Sequence, residues 1–240
     1  MKEMIDNIRK NALGQAIGAE LPEWSPRNRP AKTAMKGEYC WLEPLNPEIH
    51  CTQLFKAFAM DLEGGNWTYL PYGPFDSVEP FMAWLKDWCC GDDPLFYAVV
   101  DSSTGEAVGM ASFLRIEPAV GVIEVGHIHF SSLMQRTPMS TEAMFLMMQR
   151  VFDELGYRRY EWKCDNCNGP SKQAAERLGF SFEGIFRQAT IYKGRNRDTA
   201  WFSILDSEWP RLKQAFRAWL HPDNFDRAGK QQRALQDFLA

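Results

Sequence analysis

Residues 135–143 decide the fold of this 240-residue chain, and they read Gln135-Arg136-Thr137-Pro138-Met139-Ser140-Thr141-Glu142-Ala143. Thr137 can serve as the N-cap of a helix and Pro138 as its first residue, where a missing N–H costs nothing. Three backbone N–H groups then stay unpaired at the helix end, those of Met139, Ser140 and Thr141. Such an end binds anions, and the Arg136 guanidinium would strengthen the binding of a diphosphate. The alternative interpretation is an ordinary capped helix without a ligand.

The sequence on both sides of this segment predicts a mixture of strands and helices. Apolar residues continue the helix to a stop at Gly156, at Met144, Met147, Met148, Val151, Phe152 and Leu155. Upstream, a strand at residues 39–45 and two helices lead into three strands, at residues 96–101, 107–116 and 122–130. Downstream come a buried strand at 159–164, a helix at 171–178, and strands around 180–186 and 199–205. This order predicts an α+β fold with one strand–helix–strand crossover.

A second informative block lies at residues 168–184. It reads Asn168-Gly169-Pro170-Ser171, then Ala174-Ala175-Glu176-Arg177-Leu178-Gly179-Phe180, then Phe182-Glu183-Gly184. The two blocks together resemble the GNAT superfamily of N-acetyltransferases, close to its RimJ/RimL branch. Residues 135–140 resemble the family's pyrophosphate loop, and residues 168–184 resemble its Asn-x-x-Ser…Glu-Lys-Leu-Gly-Phe…Glu-Gly run. The resemblance covers about residues 39–205. It implies the GNAT fold, a central, mostly antiparallel mixed sheet flanked by helices, with splayed strands that form an acetyl-CoA cleft.

The chain departs from the family pattern at four positions. Pro138 and Ser140 replace the two small residues of the pyrophosphate loop, and Pro138 has no N–H to offer a phosphate. Ala175 stands where many members carry a tyrosine acid, and Thr190 where some RimL-like members carry a glutamate base. These departures keep a second hypothesis open, an acyl-CoA-binding regulatory module with weak catalysis.

The resemblance implies which residues contact acetyl-CoA. The diphosphate would meet the loop at Gln135, Arg136, Thr137, Met139, Ser140 and Thr141. The backbones of Ile128 and Phe130 would pair with the pantetheine amides, and Asn168 would meet the pantetheine arm. Asn168 can equally be the N-cap of the next helix. Ser171 would lie near the thioester sulfur, as the candidate acid for the departing thiolate.

Acetyl transfer to a primary amine also needs a base, for which Glu124 is the candidate. Some family members carry a glutamate at this position that deprotonates the amine through water. The alternative is a strand glutamate that faces solvent. His127 and His129 could replace Glu124 if a bulge re-aims the strand. The acceptor amine would be a protein N-terminus, an amino acid derivative or a small molecule, and its site is assigned to Trp67, Tyr69, Tyr72, Phe75, His127 and Arg187.

The amino-acid composition limits the class of protein and the cellular compartment that we expect. A hydrophobic content of 45% supports a sizeable core, and a net charge of −4 argues against non-specific nucleic-acid binding. Neither a signal sequence nor a run of roughly 18 apolar residues is visible, so we expect a cytoplasmic protein without a membrane partner. The six cysteines are dispersed and read as reduced thiols. One of their pairs, Cys164-x-x-Cys167, lacks further ligands, so no metal site is expected.

The two ends of the chain are expected to lie outside the acetyltransferase domain at residues 39–207. Residues 1–38 are polar and interrupted by prolines, which predicts an extended arm. Residues 208–240 predict a helical extension, with amphipathic helices at 209–220 and 231–239 that could pack on the same chain or form a homodimer. The basic segment 193–198 predicts either a solvated hairpin or a contact to the acceptor or to a CoA phosphate.

Overall fold

The computed structural model describes residues 9–226 and 229–239. Its centre is an eight-stranded sheet in the order β3-β4-β5-β6-β7-β8-β10-β9, and a separate two-stranded sheet pairs β1 with β2. The strands are β1 (Arg9–Lys10), β2 (Ala16–Ile17), β3 (Met35–Lys36), β4 (Cys40–Pro44), β5 (Leu95–Asp101), β6 (Ala107–Glu117), β7 (Val122–Phe130), β8 (Arg159–Asp165), β9 (Ser181–Tyr192) and β10 (Arg195–Leu205). The α-helices are α1 (Pro47–Phe58), α2 (Val78–Trp88), α3 (Pro138–Gln149), α4 (Gly169–Arg177), α5 (Trp209–Leu220) and α6 (Gln236–Leu239).

The central sheet is mixed but mostly antiparallel, as predicted. Only the β7–β8 pair runs parallel among the described strands, and α3 supplies the crossover between its two members. One face of the sheet packs against α3 and α5, and the other against α1 and α2. The α+β class and the flanking helices therefore agree with the sequence prediction.

Strand β9 is longer than predicted, because it continues to Tyr192 through residues that show no apolar alternation. Its register comes from pairing with β10 around a two-residue turn, Lys193 and Gly194, whose φ values of 47° and 69° match a hairpin turn.

The second helix of the tail is shorter than predicted. The sequence predicted a helix at 231–239, but α6 begins only at Gln236. The buried Asn224 side chain accepts from the Arg233 N–H at 3.0 Å, and the Asn224 carbonyl accepts from the Gln232 N–H at 2.7 Å. The Arg233 carbonyl, which a longer helix would have paired with the N–H of residue 237, accepts from Asn224 Nδ2 at 3.2 Å.

Helix α3 is anchored at its start by a buried carboxylate. Glu142 accepts hydrogen bonds from three consecutive backbone N–H groups, those of Glu38 (2.8 Å), Tyr39 (2.6 Å) and Cys40 (2.8 Å). Charge-assisted bonds of this kind are among the stronger ones in proteins. They tie the beginning of β4 to α3 and fix the orientation of the helix N-terminus.

Strand β7 contains a bulge that positions the site. Gly126 lies opposite Ser112 and His129 opposite Met110, so three steps along β7 match two along β6. His127 sits in the bulge with φ of 50°. The parallel pairing with β8 ends just before it, at Val125 and Trp162. Beyond this point the two strands diverge, and a groove opens between them.

Candidate active site

The groove between the diverging strands has a volume of about 550 Å³. It runs from the N-terminus of α3, past the end of β7, to the start of α4. Many of the predicted cofactor residues lie on its walls, namely Ile128, Phe130, Gln135, Arg136, Ser140, Thr141, Asn168 and Ser171. The structure therefore brings both sequence blocks to one cavity.

The N-terminus of α3 forms one end of the groove. Thr137 occupies the N-cap position and Pro138 the first turn, as predicted. The Thr137 hydroxyl donates to the Met134 carbonyl at 2.7 Å, so it does not cap the helix. In such a helix the N–H of Thr141 is the first to reach an internal carbonyl, that of Thr137. The unpaired amides are therefore those of Met139 and Ser140, and the expectation of a third free amide at Thr141 was wrong.

A second arginine lies beside this helix end. Arg177 on α4 donates from Nη1 to the Thr141 hydroxyl at 3.0 Å, and its guanidinium lies over the Trp219 ring at 5.0 Å. Burial lowers the pKa of Arg177. Arg136 was the arginine predicted to bind the diphosphate, and Arg177 was not predicted there although the second block carries a cation at this position. Two guanidinium groups thus border the groove near the free amides.

The backbone of β7 faces the groove at alternate residues. The Ser131 N–H donates to the Val108 carbonyl in β6 at 3.2 Å, so alternation directs the backbones of Phe130 and Ile128 towards β8. The Phe130 carbonyl already accepts from Gln135 Nε2 at 2.7 Å. Gln135 therefore ties the loop to β7. The Phe130 N–H and the backbone groups of Ile128 are not used by this contact and could bind a ligand.

Asn168 and Ser171 lie together at the start of α4. The Asn168 side chain accepts from the Ser171 N–H at 3.1 Å, so its interpretation as an N-cap is confirmed. The Ser171 hydroxyl accepts from Trp162 Nε1 at 3.0 Å. Because that bond uses a lone pair of the oxygen, the hydroxyl proton of Ser171 remains available for donation.

A smaller pocket of about 190 Å³ adjoins the groove. The two cavities share several wall residues, namely Asn66, Tyr69, Ile128, Trp162, Asn168 and Ser171. The smaller pocket also exposes Glu124, His127, Lys163 and Arg197. A molecule held here would therefore lie next to Ser171 and to the carboxylate of Glu124.

Glu124 is buried, and the alternative of a solvent-facing strand glutamate was wrong. It is 6% exposed and pairs with Lys163 Nζ at 2.8 Å and Arg115 Nε at 3.5 Å. Burial raises the pKa of the Glu124 carboxyl, and the Lys163 ammonium opposes that rise. Lys163 also holds Glu161 at 2.7 Å, so one buried cation serves two carboxylates.

Comparison with known proteins agrees with this geometry. The family model described as an acetyltransferase (GNAT) domain matches residues 40–181, more than half of the chain. The chain belongs to the GNAT family. A solved GCN5-related N-acetyltransferase from Brucella melitensis is 53% identical, with a TM-score of 0.90, and the match covers 91% of this chain and 99% of that one.

Two other GNAT relatives are more distant. A probable acetyltransferase of the family from Chromobacterium violaceum is 41% identical, with a TM-score of 0.75, and the match covers 81% of this chain and 96% of that one. The uncharacterized N-acetyltransferase p20 of Bacillus licheniformis is 27% identical over 117 residues. That match spans 47% of this chain and 63% of the curated relative.

The predicted acceptor residues of this GNAT domain are divided by the structure. Tyr69 lies on both cavities and donates to the Cys167 carbonyl at 3.0 Å, and His127 lies in the smaller pocket. Trp67 is 5% exposed within the aromatic core, where it contacts Phe75 and Tyr72 edge to face. None of these three rings is on the wall of the groove or of the smaller pocket, so the prediction that they meet the acceptor directly is not supported.

Arg187 is the predicted acceptor residue with the least support from its surroundings. It lies on the exposed strand β9. Its neighbours in the hairpin behave differently, because Lys193 donates to the Trp67 carbonyl at 2.8 Å and Arg195 to the Thr68 carbonyl at 3.4 Å. The predicted hairpin is present and its residues 193–196 are exposed, and two of its basic side chains also contact the aromatic loop.

The two histidines of the GNAT β7 strand have different environments. His127 accepts or donates at Nδ1 with the Tyr72 hydroxyl at 3.2 Å, and burial together with Arg197 lowers its pKa to about 4. His129 is 2% exposed and stacks on Phe58 at 3.8 Å. Neither of its ring nitrogens has a hydrogen-bond partner among the described residues, and burial lowers its pKa to about 3. Both histidines are therefore neutral at pH 7.

The buried His129 should make the stability of the protein depend on pH. Its pKa falls from an ordinary 6.5 to about 3, so the unfolded chain binds a proton as the pH drops below 6.5 while the native chain does not. The stabilisation present above pH 6.5 is lost towards pH 3. We expect His129→Phe, which keeps the ring stack, to remove on the order of 2 kcal/mol of the decrease in unfolding free energy between pH 7.5 and 4.5. Urea denaturation at the two pH values measures this difference.

Phe58→Leu is the matched control for this measurement, because it weakens the same stack without removing a titrating group. It should lower the unfolding free energy by a similar amount at both pH values. An unchanged pH dependence in His129→Phe would show that the native pKa of His129 is close to its value in the unfolded chain.

The described residues contain no group of three or more potential ligands that could hold a metal ion. Residues 9–226 and 229–239 likewise contain no helix long and apolar enough to cross a membrane. The described cysteines Cys40, Cys51, Cys89, Cys90, Cys164 and Cys167 are free thiols.

Proposed function

We propose that this protein is an acetyl-CoA-dependent N-acetyltransferase that passes the acetyl group directly to a primary amine. The observation that carries the proposal is the junction of the two cavities at Ile128 and Ser171. The larger cavity leads from there to free amides and guanidinium groups, which suit a diphosphate. The smaller cavity leads to Glu124, which suits an amine. Donor and acceptor would therefore meet beside Ser171.

The chain supplies a group for each proton in this reaction. The amine nitrogen forms a bond to the thioester carbonyl carbon, and the carbon–sulfur bond breaks. Glu124 accepts the proton of the amine through water, and Lys163 keeps its carboxylate in place at 2.8 Å. Ser171 donates its hydroxyl proton to the departing sulfur and regains a proton from solvent. The hydrogen bond from Trp162 at 3.0 Å stabilises the developing charge on the Ser171 oxygen.

Direct transfer is favoured over a thioester on the enzyme. Cys164 lies on the smaller pocket, but burial raises the pKa of its thiol. The reactive form of cysteine is the thiolate, so this thiol is a poor nucleophile. An attack by the acceptor amine on bound acetyl-CoA requires no such intermediate.

The proposal includes membership of the RimJ/RimL branch, which the residues 141–143 and the run at 168–184 support. It also includes a cytoplasmic location, for which the free thiols are suitable. The alternative, a regulatory module that binds acyl-CoA without turnover, would use the same groove. Pro138 at the helix start is the feature that keeps it in consideration.

The test of the proposed function combines ligand binding with turnover. We expect acetyl-CoA and CoA to raise the melting temperature, because a ligand bound only by the native state stabilises it. Pantetheine, which lacks the diphosphate, should raise it far less. Thiol release from acetyl-CoA with a panel of amines and dipeptides should show transfer, with the acetylated product identified by mass spectrometry. Equal shifts with pantetheine and CoA would contradict the diphosphate site. Binding without transfer to any amine would replace the enzyme by the regulatory module.

A further inference from the structure

The smaller pocket contains a cation that the reaction above does not use. Arg197 on β10 lies on its wall, together with Glu124, His127 and Ser171. Its guanidinium forms no ion pair with any described residue, and its Nε atom is buried without a hydrogen-bond acceptor. Buried donors are almost always paired in native proteins, so an unpaired guanidinium nitrogen in a cavity points to a missing acceptor.

The other cations nearby already have partners. Lys163 is held by Glu124 and Glu161, and its ammonium lies 3.7 Å from the centre of the Trp201 ring. Lys193 and Arg195 donate to carbonyls of the aromatic loop. Arg197 is therefore the basic side chain of this hairpin that lies on the pocket wall with a buried nitrogen lacking an acceptor.

Asp165 lies on the same pocket wall, but it forms no ion pair with Arg197. Asp165 accepts the Tyr192 hydroxyl at Oδ2 (2.8 Å) and the Cys167 N–H at Oδ1 (2.8 Å). Tyr192 is also the ring over which the Arg197 guanidinium lies, at 5.9 Å. Asp165 thus holds in place the Tyr192 ring that the Arg197 guanidinium contacts. His127 is neutral at pH 7. The carboxylate near Arg197 is therefore Asp165, and its oxygens accept from Tyr192 and Cys167 and not from the guanidinium.

We infer that the acceptor carries an anionic oxygen group, a carboxylate or a phosphate, within a few bonds of its primary amine, and that Arg197 binds this group. The inference rests on the proposed acetyl transfer and names the class of acceptor for the same site. Guanidinium groups bind such oxygens with strong, charge-assisted hydrogen bonds. The volume of about 190 Å³ lies below the roughly 300–1,000 Å³ of ordinary ligand pockets, so amine and anion must be close together. An amine without a nearby negative charge would leave Arg197 unpaired.

The experiment compares acceptors that differ only in the anionic group. L-alanine is paired with L-alaninamide, which tests a carboxylate, and phosphoethanolamine with ethanolamine, which tests a phosphate. The two amines of a pair differ in basicity, so the readout is the change in their kcat/KM ratio between wild type and Arg197→Gln. We expect the ratio for at least one pair to fall by tenfold or more in Arg197→Gln, as for the loss of a charge-assisted bond. Acetyl-CoA KM should stay unchanged. Arg197→Lys keeps the positive charge but loses the planar guanidinium. Its ratio should lie between those of wild type and Arg197→Gln.

Arg217→Gln is the matched control, since it removes one positive charge from an exposed site on α5, and it should keep the wild-type ratios. Ratios that are equal in wild type and Arg197→Gln, in a variant that melts and binds CoA as wild type does, would overturn the inference. If no probe is acetylated, calorimetry of the same four probes with the enzyme–CoA complex decides. Anion binding that depends on Arg197 would support the anion subsite while the proposed transfer fails. Absence of such binding would overturn the inference as well.

Discussion

Ser140→Asp should lower the affinity for CoA by about a hundredfold while leaving the fold intact or slightly more stable. Ser140 lies in the first turn of α3 on the wall of the groove, where an aspartate adds negative charge to the proposed diphosphate site. Close like charges in a partly buried site cost several kcal/mol at an effective dielectric constant of about 20. The same carboxylate interacts favourably with the helix dipole, worth about 0.3–1 kcal/mol. The lost hydrogen bond from the Ser140 hydroxyl to the Thr137 carbonyl offsets part of that gain.

The opposite directions of the two effects make this variant informative. Titration calorimetry would measure CoA affinity, and urea denaturation would measure the unfolding free energy. Ser140→Asn is the matched control, because it has nearly the shape of aspartate without its charge and should lose only a few-fold in CoA affinity. Pantetheine should bind wild type and Ser140→Asp equally, since it carries no diphosphate. CoA affinity that is unchanged in Ser140→Asp would place the diphosphate elsewhere.

Local patterns were enough to predict most of the fold. The helical spacing from Met144 onward and the stop at Gly156 predicted α3, which ends in a π-helical turn, Arg150–Glu154, before that glycine. The prediction failed where distant contacts replace local ones. Strand β9 past Phe186 is held by its partner strand. Helix α6 is shortened because Asn224 Nδ2 binds the Arg233 carbonyl, which a longer helix would have paired internally.

The site was predicted less completely, because much of it depends on how strands meet. The two motif blocks predicted the groove. The strand that carries Glu124 was also predicted, and the side chain is buried there. The roles of Arg177 and Lys163 depend on tertiary contacts, to Thr141 and to Glu124, which the sequence pattern does not reveal. Trp67 was misplaced for a related reason. An irregular loop has no period that tells an inward ring from an outward one.

The bulge in β7 is the feature that connects sequence, fold and chemistry. It lets His127 adopt a φ of 50° and ends the pairing with β8, so that the groove can open. Simple alternation along a strand would place His127 and His129 on one face. In the structure His127 lies in the acceptor pocket, whereas His129 is enclosed by Phe58 and Trp67. His129 is therefore a poor proton acceptor for the reaction, and His127 is the histidine that could replace Glu124.

Glu124→Gln should lower kcat by about a hundredfold or more, a typical contribution of a general base, while acetyl-CoA affinity stays nearly unchanged. The amide keeps the shape of the side chain but cannot accept a proton from the amine. Raising the pH should partly rescue the variant, because alkaline solution supplies the neutral amine that the site no longer generates. Since burial raises the pKa of Glu124, the rate of the wild type should decrease as the pH is lowered, beginning at a higher pH than for an ordinary glutamate. Steady-state kinetics across the acid and alkaline ranges, from about pH 4 to 10, would measure both effects.

Glu161→Gln is the matched control for the charge network. Glu161 lies opposite Glu124 in the neighbouring strand, and its carboxylate is 2.7 Å from Lys163 Nζ, which also binds Glu124. Glu161 is not on the wall of the pocket. Its loss disturbs the same buried cation without removing the proposed base, so its kcat should change by a few-fold at most. A comparable loss of kcat in both variants would assign the effect to the electrostatics of Lys163. A wild-type rate for Glu124→Gln at neutral pH would exclude Glu124 as the base. His127→Gln would then decide between His127 and solvent. With a pKa of about 4, His127 is unprotonated at neutral and alkaline pH and can accept a proton there. A lower kcat in His127→Gln would assign the base to His127, and an unchanged kcat would assign it to solvent.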